Sequence, residues 1–522
     1  MFDIIIKNGT IIDGAQTARY QADIAIKADK IVQIGRLGEA EAAQVVDATG
    51  KIVAPGFVDV HNHSDAWLLK EPHFFSKTSQ GFTTEVIMAD GISYAPVNAH
   101  TAREWIYYLR SLNGLRFEEY QGWESLADYM ALLDGKTVQN SITHIPYANV
   151  RTLACGFGPT GPNDYQMMQI IQEIEKGMAE GAVGLSTGLD YIVQFFATTD
   201  ELVEVCRPMA ANQGLYVSHV RYKKGVINGV KEAVEIGKRA GVPVHISHLK
   251  GYTPQEVDEL IDYIDNVARQ TVDFSFDVYP YMSVSTMFNS FLPYEVWVDG
   301  PLGVIPKLRI PEVRQRFADS PYVPALEKGH IAWVPGKDNA LYQGRDLSEY
   351  VAASQRSPAD ALLDLLIEEN LAVLGVYHGN SAPEDLIAPF IQHPCYMMGS
   401  DGIYHPDSHV HPRQYGSAPR VLGPYVRDKQ WLSLEDAIHK LSGYPAERFG
   451  LKHRGKLQES YYADIVIFNP DTIQDQATHE KPHQYPIGID EVFVNGVLII
   501  EQGAPVEPLN DPLPGRALKF GD

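Results

Sequence analysis

The chain has 522 residues, of which 45% are hydrophobic, enough to bury a large core and to form more than one domain. Its 43 Lys and Arg against 66 Asp and Glu give a formal charge of −23, which repels nucleic acid and anionic membrane surfaces. No apolar run is long enough for a signal sequence or a membrane span. Three cysteines far apart in the sequence argue against disulfides and for a reducing compartment. We therefore expect a soluble, cytoplasmic protein that binds neither nucleic acid nor membranes.

The two ends of the chain share a β-strand pattern. Short strand-like segments, joined by turn sequences such as NGT and ATG, occupy the first 54 residues at 3–7, 10–12, 22–26, 30–34 and 44–47. Alternating apolar runs return at 463–470 and 489–503, the second with an Asn-Gly turn. This predicts that residues 1–55 and 455–522 together form one small β-sandwich domain.

Residues 56–454 instead alternate strand-like and helical segments, and Gly241 ends one of the helical segments. This rhythm predicts an α/β fold, a (β/α)8 TIM-like barrel flanked by the β-sandwich. Nine segments read as strands, one more than such a barrel holds, and the pattern does not show which is surplus. They lie near 58 and at 82–89, 142–148, 182–186, 215–220, 242–247, 272–278, 372–377 and 396–400.

One connection, at about 282–341, is long for a barrel. It is either a disordered loop or an insertion over the site. Its aromatic residues favour the second interpretation, an ordered lid, and include Phe288, Phe291, Tyr294 and Trp297.

The motif DVHNHSD, residues 59–65, follows the first of these strands. Alternate side chains of a strand share a face, so His61 and His63 would point the same way and could bind one divalent ion. For an isolated pair, a strand end with two solvent-exposed histidines is about as common. The other strand ends decide between these interpretations.

Four more residues of ligand type lie where other predicted strands end: Asp90, His219, His248 and Asp401. Each of these four residues, taken alone, is more readily interpreted as a helix cap or a solvated group. Together with the first pair, they predict a centre for one or two Zn²⁺ ions or another divalent metal. In the sequence HISH, His245 and His248 would face opposite sides, so we assign His248 to the metal and His245 to packing against a helix.

In this order, the motifs resemble those of the N-acyl-D-amino-acid deacylase (D-aminoacylase) family of the amidohydrolase superfamily. The resemblance spans nearly the whole chain and rests on NGTIIDG, APGFVDVHNHSD, GFTTEVIMADGISYAP, GLSTGLDY, SHVR, VPVHISHLKG, DVYPY, GSDG, HPRQYG and ADIVIF. It implies a zinc-dependent hydrolase on a barrel with a β-sandwich, which cleaves N-acyl-D-amino acids to a carboxylate and a free D-amino acid. It also implies that His61 and His63 hold one metal position, that His219 and His248 hold the other, and that Asp401 is the general base.

Asp90 departs from the family pattern, which usually has cysteine at this position. A carboxylate is a harder ligand than a thiolate and can bridge two ions, which favours a two-metal site and leaves the identity of the metal open. Other branches of the superfamily fit less well. Segment 181–191 contains no lysine that could be carboxylated, and Val220 and Arg221 stand where nucleobase deaminases place an acid.

An N-acyl amino acid has a free carboxylate, and three cations near the predicted ligands are candidates to bind it: Arg221, Lys250 and Arg413. Arg221 and Lys250 each lie two residues after a predicted ligand, on the same face if the strand continues. Tyr191 matches a family position near the substrate. Tyr281 could donate a hydrogen bond to the developing oxyanion, or it could be a buried core tyrosine.

Two other classes of function stay open. One is a hydrolase of another amide, such as a cyclic amide, a D-amino-acid dipeptide or a carbamate. The other is a binding protein without catalysis, and a deaminase is less favoured still. We expect a small-molecule substrate with a free carboxylate as the partner, and we leave a homo-oligomer open. Four histidines receive no role: His378, His405, His409 and His411.

Overall fold

Both ends of the chain contribute to a single nine-stranded sheet in the computed structural model, which describes residues 1–326, 328–378 and 382–521. The two ends join where Ile52–Pro55 pairs antiparallel with Ile465–Phe468. Alternation explains the pairing, since isoleucines at alternate positions of the N-terminal strands, such as Ile4 and Ile6, pack into one buried cluster with Val53, Ile465 and Ile467. The other strands of this sheet are Phe2–Ile11, Tyr20–Lys27, Lys30–Gly35, Ala42–Asp47, Ile489–Val494, Val497–Glu501 and Ala504–Pro505.

Between these ends, parallel strands alternate with helices in an α/β arrangement. One sheet contains Phe57–Asp59, Phe82–Ile87 and Asn140–Thr143. A second contains Ile145–Pro146, Gly184–Gly188, Leu215–His219, Val244–Ile246, Phe274–Val278 and Tyr396–Met398. The longer helices are Ala99–Asn113, Tyr147–Cys155, Asp164–Glu180, Thr199–Cys206, Val226–Ala240, Pro254–Tyr263, Pro311–Ala318, Leu347–Ser354, Pro358–Glu368 and Arg413–Arg420.

Backbone hydrogen bonds connect the edges of the two parallel sheets. At one junction the His144 amide donates to the Ile87 carbonyl at 3.2 Å, and at the other the Val60 amide donates to the Met398 carbonyl at 3.3 Å. The carboxyl ends of the strands in both sheets therefore meet around one space, which is where the ligand-type residues follow.

The surplus strand among the nine candidates is the one predicted at 372–377. Leu374–Tyr377 lies outside the parallel sheets and pairs antiparallel with both Val284–Met287 and Gly329–Trp333. The inserted region therefore extends beyond the predicted end at 341. The sequence did not show this, because an apolar run of strand length does not reveal which sheet it joins. Phe291 and Tyr322 from this region reach the cavity described below.

No helix of the described residues combines the length and the apolar character needed to cross a bilayer.

Candidate metal centre and active site

The six side chains of predicted ligand type meet at the carboxyl ends of the parallel strands. His63 Nε2 lies 3.2 Å from Asp401 Oδ1, and His61 Nε2 lies 3.5 Å from Asp90 Oδ1. On the other side, His219 Nδ1 lies 3.0 Å from His248 Nε2. Neighbouring ligand atoms of one Zn²⁺ ion, bound at about 2.0–2.2 Å, are separated by roughly such distances.

Asp90 stands between the two pairs of histidines. Its Oδ1 faces His61 Nε2 at 3.5 Å and His248 Nε2 at 3.8 Å, and its Oδ2 faces His63 Nε2 and His219 Nδ1, each at 3.8 Å. Two three-residue groups of suitable spacing share this carboxylate, one with His61 and His63 and one with His219 and His248. A carboxylate in this position could contact two ions through its two oxygens.

Backbone turns direct three of these side chains inward. Asp90, His248 and Asp401 adopt positive φ angles of 59°, 39° and 48°. Non-glycine residues rarely take this conformation, and it concentrates at functional sites where the surrounding structure enforces it. The chain thus turns sharply after each strand and brings the side chain over the strand ends.

His245 has polar partners that the sequence did not reveal. Its Nε2 lies 3.0 Å from Asp277 Oδ2 and its Nδ1 lies 2.8 Å from Ser275 Oγ, while its ring packs against Phe449 at the end of the helix Tyr444–Arg448. The strand ends at Ile246, so the alternation rule does not extend to His248.

Two buried carboxylates that the sequence analysis missed orient the histidines from behind. Asp277 Oδ2 lies 3.6 Å from His61 Nδ1, and Asp190 Oδ2 lies 3.5 Å from His219 Nε2. Each carboxylate favours a proton on the nitrogen that it faces, so the opposite nitrogen is the one directed at the centre. The available signal was an acidic residue in the DVYPY and GLDY motifs, where the neighbouring positions are mostly apolar or aromatic.

The charges in the centre are strongly coupled. Burial opposes protonation of His61, yet the carboxylates of Asp90, Asp277 and Asp401 raise its pKa to about 10. Burial would raise the pKa of Asp90, but the surrounding imidazoles hold it below its ordinary value. Both ring nitrogens of His61 and Oδ1 of Asp90 are buried without a hydrogen-bond partner among the described residues. Such groups are costly unless a ligand satisfies them, so the residues fit a bound cation.

Arg413 binds a residue of the centre and does not line the cavity. Its Nη1 lies 2.9 Å from Asp401 Oδ2, and its Nη2 donates to the Ser285 carbonyl at 3.2 Å. Burial would raise the pKa of Asp401, but the Arg413 guanidinium and the nearby imidazoles hold it well below its ordinary value. Arg413 therefore keeps Asp401 ionised while leaving Oδ1 directed at His63.

Arg221 was predicted to bind the substrate carboxylate, but it does not line the cavity. Its Nε lies 2.9 Å from Glu232 Oε2, and the other guanidinium nitrogens donate to backbone carbonyls of residues 189–197. The strand ends at His219, so the two-residue spacing no longer sets the direction of the side chain. Arg221 instead holds the segment that carries Asp190 and Tyr191.

Lys250 and Tyr191 do line the cavity, which has a volume of about 310 Å³ and opens onto Asp90, His219 and Asp401. The Lys250 ammonium lies 3.1 Å from the centre of the Tyr279 ring and donates to the Tyr281 carbonyl at 2.5 Å. Lys223, a second cation on this wall, went unpredicted.

The Tyr281 side chain is not part of this lining. It faces a second, smaller cavity with Glu384, Arg420 and His479, and of the two tyrosines in DVYPY it is Tyr279 that reaches the metal centre cavity. The strand ends at Val278, so neither tyrosine can be placed by strand alternation. The predicted oxyanion donor thus does not fit this geometry.

The sequence and the fold are similar to those of known proteins. Residues 44–272 and 392–500 match the amidohydrolase family. The chain is 34% identical to D-aminoacylase of Alcaligenes xylosoxydans xylosoxydans, over 96% of this chain and 95% of the relative. It is 31% identical to N-acyl-D-glutamate deacylase of the same organism, over 99% of this chain and 96% of the relative.

A solved structure extends this likeness to three dimensions. N-acyl-D-glutamate deacylase from Bordetella bronchiseptica, complexed with zinc and a phosphonate inhibitor that mimics the tetrahedral intermediate, superposes with a TM-score of 0.84. It is 32% identical and covers 99% of both chains. The chain belongs to the amidohydrolase family, in the group that includes D-aminoacylase and the N-acyl-D-amino-acid deacylases.

Proposed function

We propose that this protein hydrolyses the amide bond of N-acyl-D-amino acids to a carboxylate and a free D-amino acid. The observation that carries this proposal is the convergence of four histidines and two aspartates on one cavity that also contains Lys250. Near-full-length relatives with this activity support it.

The proposal includes a domain arrangement. The two parallel sheets close into a (β/α)8 barrel over residues 56–454, flanked by a β-sandwich of residues 1–55 and 455–522. Support comes from the hydrogen bonds between the parallel sheets and from the pairing of the two chain ends. The inserted region over the cavity serves as the lid.

Zinc is the cofactor of the proposed reaction. His61 and His63 would hold one position and His219 and His248 the other, with Asp90 between them and Asp401 beside His61 and His63. When bound, zinc supplies Lewis acidity, which makes water a better nucleophile and polarises a carbonyl group. Asp277 and Asp190 hold the imidazole rings in the ligating orientation.

Asp401 moves the proton in this mechanism. Its Oδ2 is bound by Arg413, so Oδ1 remains to take the proton of the attacking water and to pass it to the leaving amine nitrogen. One acid–base group can do both because the nitrogen leaves from the carbon that the water attacks.

Lys250 binds the substrate carboxylate in the proposed complex. It is the cavity cation nearest in sequence to a metal ligand, and Tyr279 supports its ammonium through the ring face. An ammonium is a suitable partner for a carboxylate that must be held beside a metal centre. Tyr191, whose ring centre lies 4.7 Å from that of His219, forms the adjacent wall.

We expect Lys250→Met to raise the KM for N-acetyl-D-amino acids by roughly 10- to 100-fold, since a hydrogen bond to a charged group contributes about 1.5–3 kcal/mol. Methionine preserves the unbranched shape, so kcat should change less than KM. Steady-state kinetics measures both parameters. The exposed Lys224→Met is the matched control and should behave as wild type. An unchanged KM in Lys250→Met would remove the residue from substrate binding.

A substrate panel tests the function itself. We expect the zinc-loaded protein to release free amine from N-acetyl-D-amino acids at least tenfold faster than from their L-enantiomers. Cyclic amides, D-amino-acid dipeptides and carbamates should be slower still. If the protein preferred one of these other substrates, the proposed function would change to hydrolysis of that substrate. If it turned over none of the compounds, a binding protein would be favoured.

The cellular location is part of the proposal. Cys155, Cys206 and Cys395 are all free, which supports a reducing compartment such as the cytoplasm.

A further inference from the structure

A second group of histidines lies outside the metal centre, beside a cavity of about 240 Å³. His330 comes from the strand Gly329–Trp333, His378 directly follows Leu374–Tyr377, and His479 comes from a C-terminal loop. The ring centre of His378 lies 5.1 Å from that of His330 and 4.6 Å from that of His479. The proposed reaction uses none of the three.

Hydrogen bonds indicate which ring nitrogens carry lone pairs. His330 Nε2 donates to the His409 carbonyl at 3.1 Å, so Nδ1 has the lone pair, and this atom lies 3.0 Å from His378 Nε2. His479 Nε2 lies 3.1 Å from Ser283 Oγ, which also lies 2.6 Å from His411 Nε2. The remaining nitrogen, His479 Nδ1, is buried with no partner among the described residues.

For His330, this pattern is that of a metal-binding histidine, whose second nitrogen is commonly held by a protein acceptor. The metal centre of the same chain provides a comparison, because His219 Nδ1 and His248 Nε2 are also 3.0 Å apart. Two nitrogens bound to one ion at about 2.0–2.1 Å, roughly at a right angle, have this separation.

Two of the three imidazoles are also in the protonation state that ligands need. Burial, together with repulsion from His378 and His330, lowers the pKa of His479 to about 4. Burial likewise lowers the pKa of His330. Two of the three rings are therefore neutral at pH 7 and need not lose a proton to bind a cation.

We propose that His330, His378 and His479 form a separate site for a divalent transition ion that favours imidazole, namely Cu²⁺, Ni²⁺ or Zn²⁺. Three imidazoles without a carboxylate disfavour Mg²⁺ and Ca²⁺, which prefer oxygen ligands. His479 must turn to complete the site, since the three nitrogens do not lie within 4.8 Å of one another in the described part of the chain. Its half-buried position in a loop allows this movement.

The test is a Cu²⁺ titration of the full-length protein after its metal centre has been loaded with zinc. Calorimetry gives the stoichiometry, and electron paramagnetic resonance reports nitrogen ligands. We expect wild type to bind one equivalent of Cu²⁺ with an imidazole signature. Zinc content is measured in the same samples, so that displacement from the metal centre is counted separately.

Two variants test whether the additional Cu²⁺ ion binds at these histidines. His378→Ala and His479→Ala should each weaken the added Cu²⁺ site at least tenfold while keeping zinc and turnover. The exposed His100→Ala is the matched control and should bind Cu²⁺ as wild type does. Equal Cu²⁺ stoichiometry and affinity in wild type and both variants would overturn the proposal, as would the absence of the additional equivalent in wild type.

Discussion

Replacing Asp401 by asparagine is expected to lower kcat for N-acetyl-D-amino acids by about 10²- to 10⁴-fold, the usual contribution of general acid–base catalysis. Asparagine keeps the shape of the side chain and an oxygen that can accept from Arg413. It cannot take up the proton of the attacking water, and it lacks the negative charge that pairs with Arg413 at 2.9 Å. Steady-state kinetics at saturating substrate measures the change.

The control for this variant must separate catalysis from folding and metal loss. Asp407→Asn alters an exposed carboxylate of the same loop and should leave kcat unchanged. Thermal unfolding and zinc analysis of Asp401→Asn should show a folded protein that retains zinc. A variant that hydrolyses substrate at the wild-type rate would show that another group handles the proton.

Replacing Asp90 by asparagine is expected to remove at least one zinc equivalent per chain and to lower kcat/KM by more than about 100-fold. The estimate follows because residues that only support metal ligands already cost about 10- to 100-fold when mutated. Asp90 lies 3.5–3.8 Å from all four histidines. The neutral amide of asparagine at this position would leave the positive charge of bound zinc uncompensated. Metal analysis after gel filtration measures the stoichiometry.

Asp90→Cys is the informative comparison. It restores the residue that the family usually has, and a thiolate binds zinc well but lacks the second oxygen of a bridging carboxylate. We expect this variant to retain zinc and measurable activity, whereas Asp90→Asn loses both. Full zinc content in Asp90→Asn would mean that Asp90 is not a ligand, and the bridging geometry would then have another purpose.

The sequence predicted the six ligand candidates because such residues follow the strands of an α/β protein, and these ends meet in space. Strand identity was harder to predict. The run at 372–377 has the same apolar character as a parallel strand, yet it pairs antiparallel within the inserted region. Hydrophobicity indicates that a segment is buried, whereas its partners depend on contacts distant in sequence.

Strand alternation failed to place Arg221 for a physical reason. The strands end at His219 and Ile246, and the reasoning about Arg221, Lys250 and the pair of His245 and His248 extended strand alternation beyond those ends. After a strand the backbone turns, as the φ of 39° at His248 shows, and side chains separated by two residues no longer share a face. Tertiary contacts then decide which residue reaches the cavity.

By itself, the sequence determined the α/β class, the ligand types and the strand ends that carry them, because periodicity and residue chemistry are local properties. Only the tertiary structure decided that Asp90 lies between both histidine pairs, that Arg413 forms an ion pair with Asp401, and that the Asp277 carboxylate faces His61 Nδ1. These are relations between residues far apart in the chain. They arise only when the folded backbone brings several strand ends around one space.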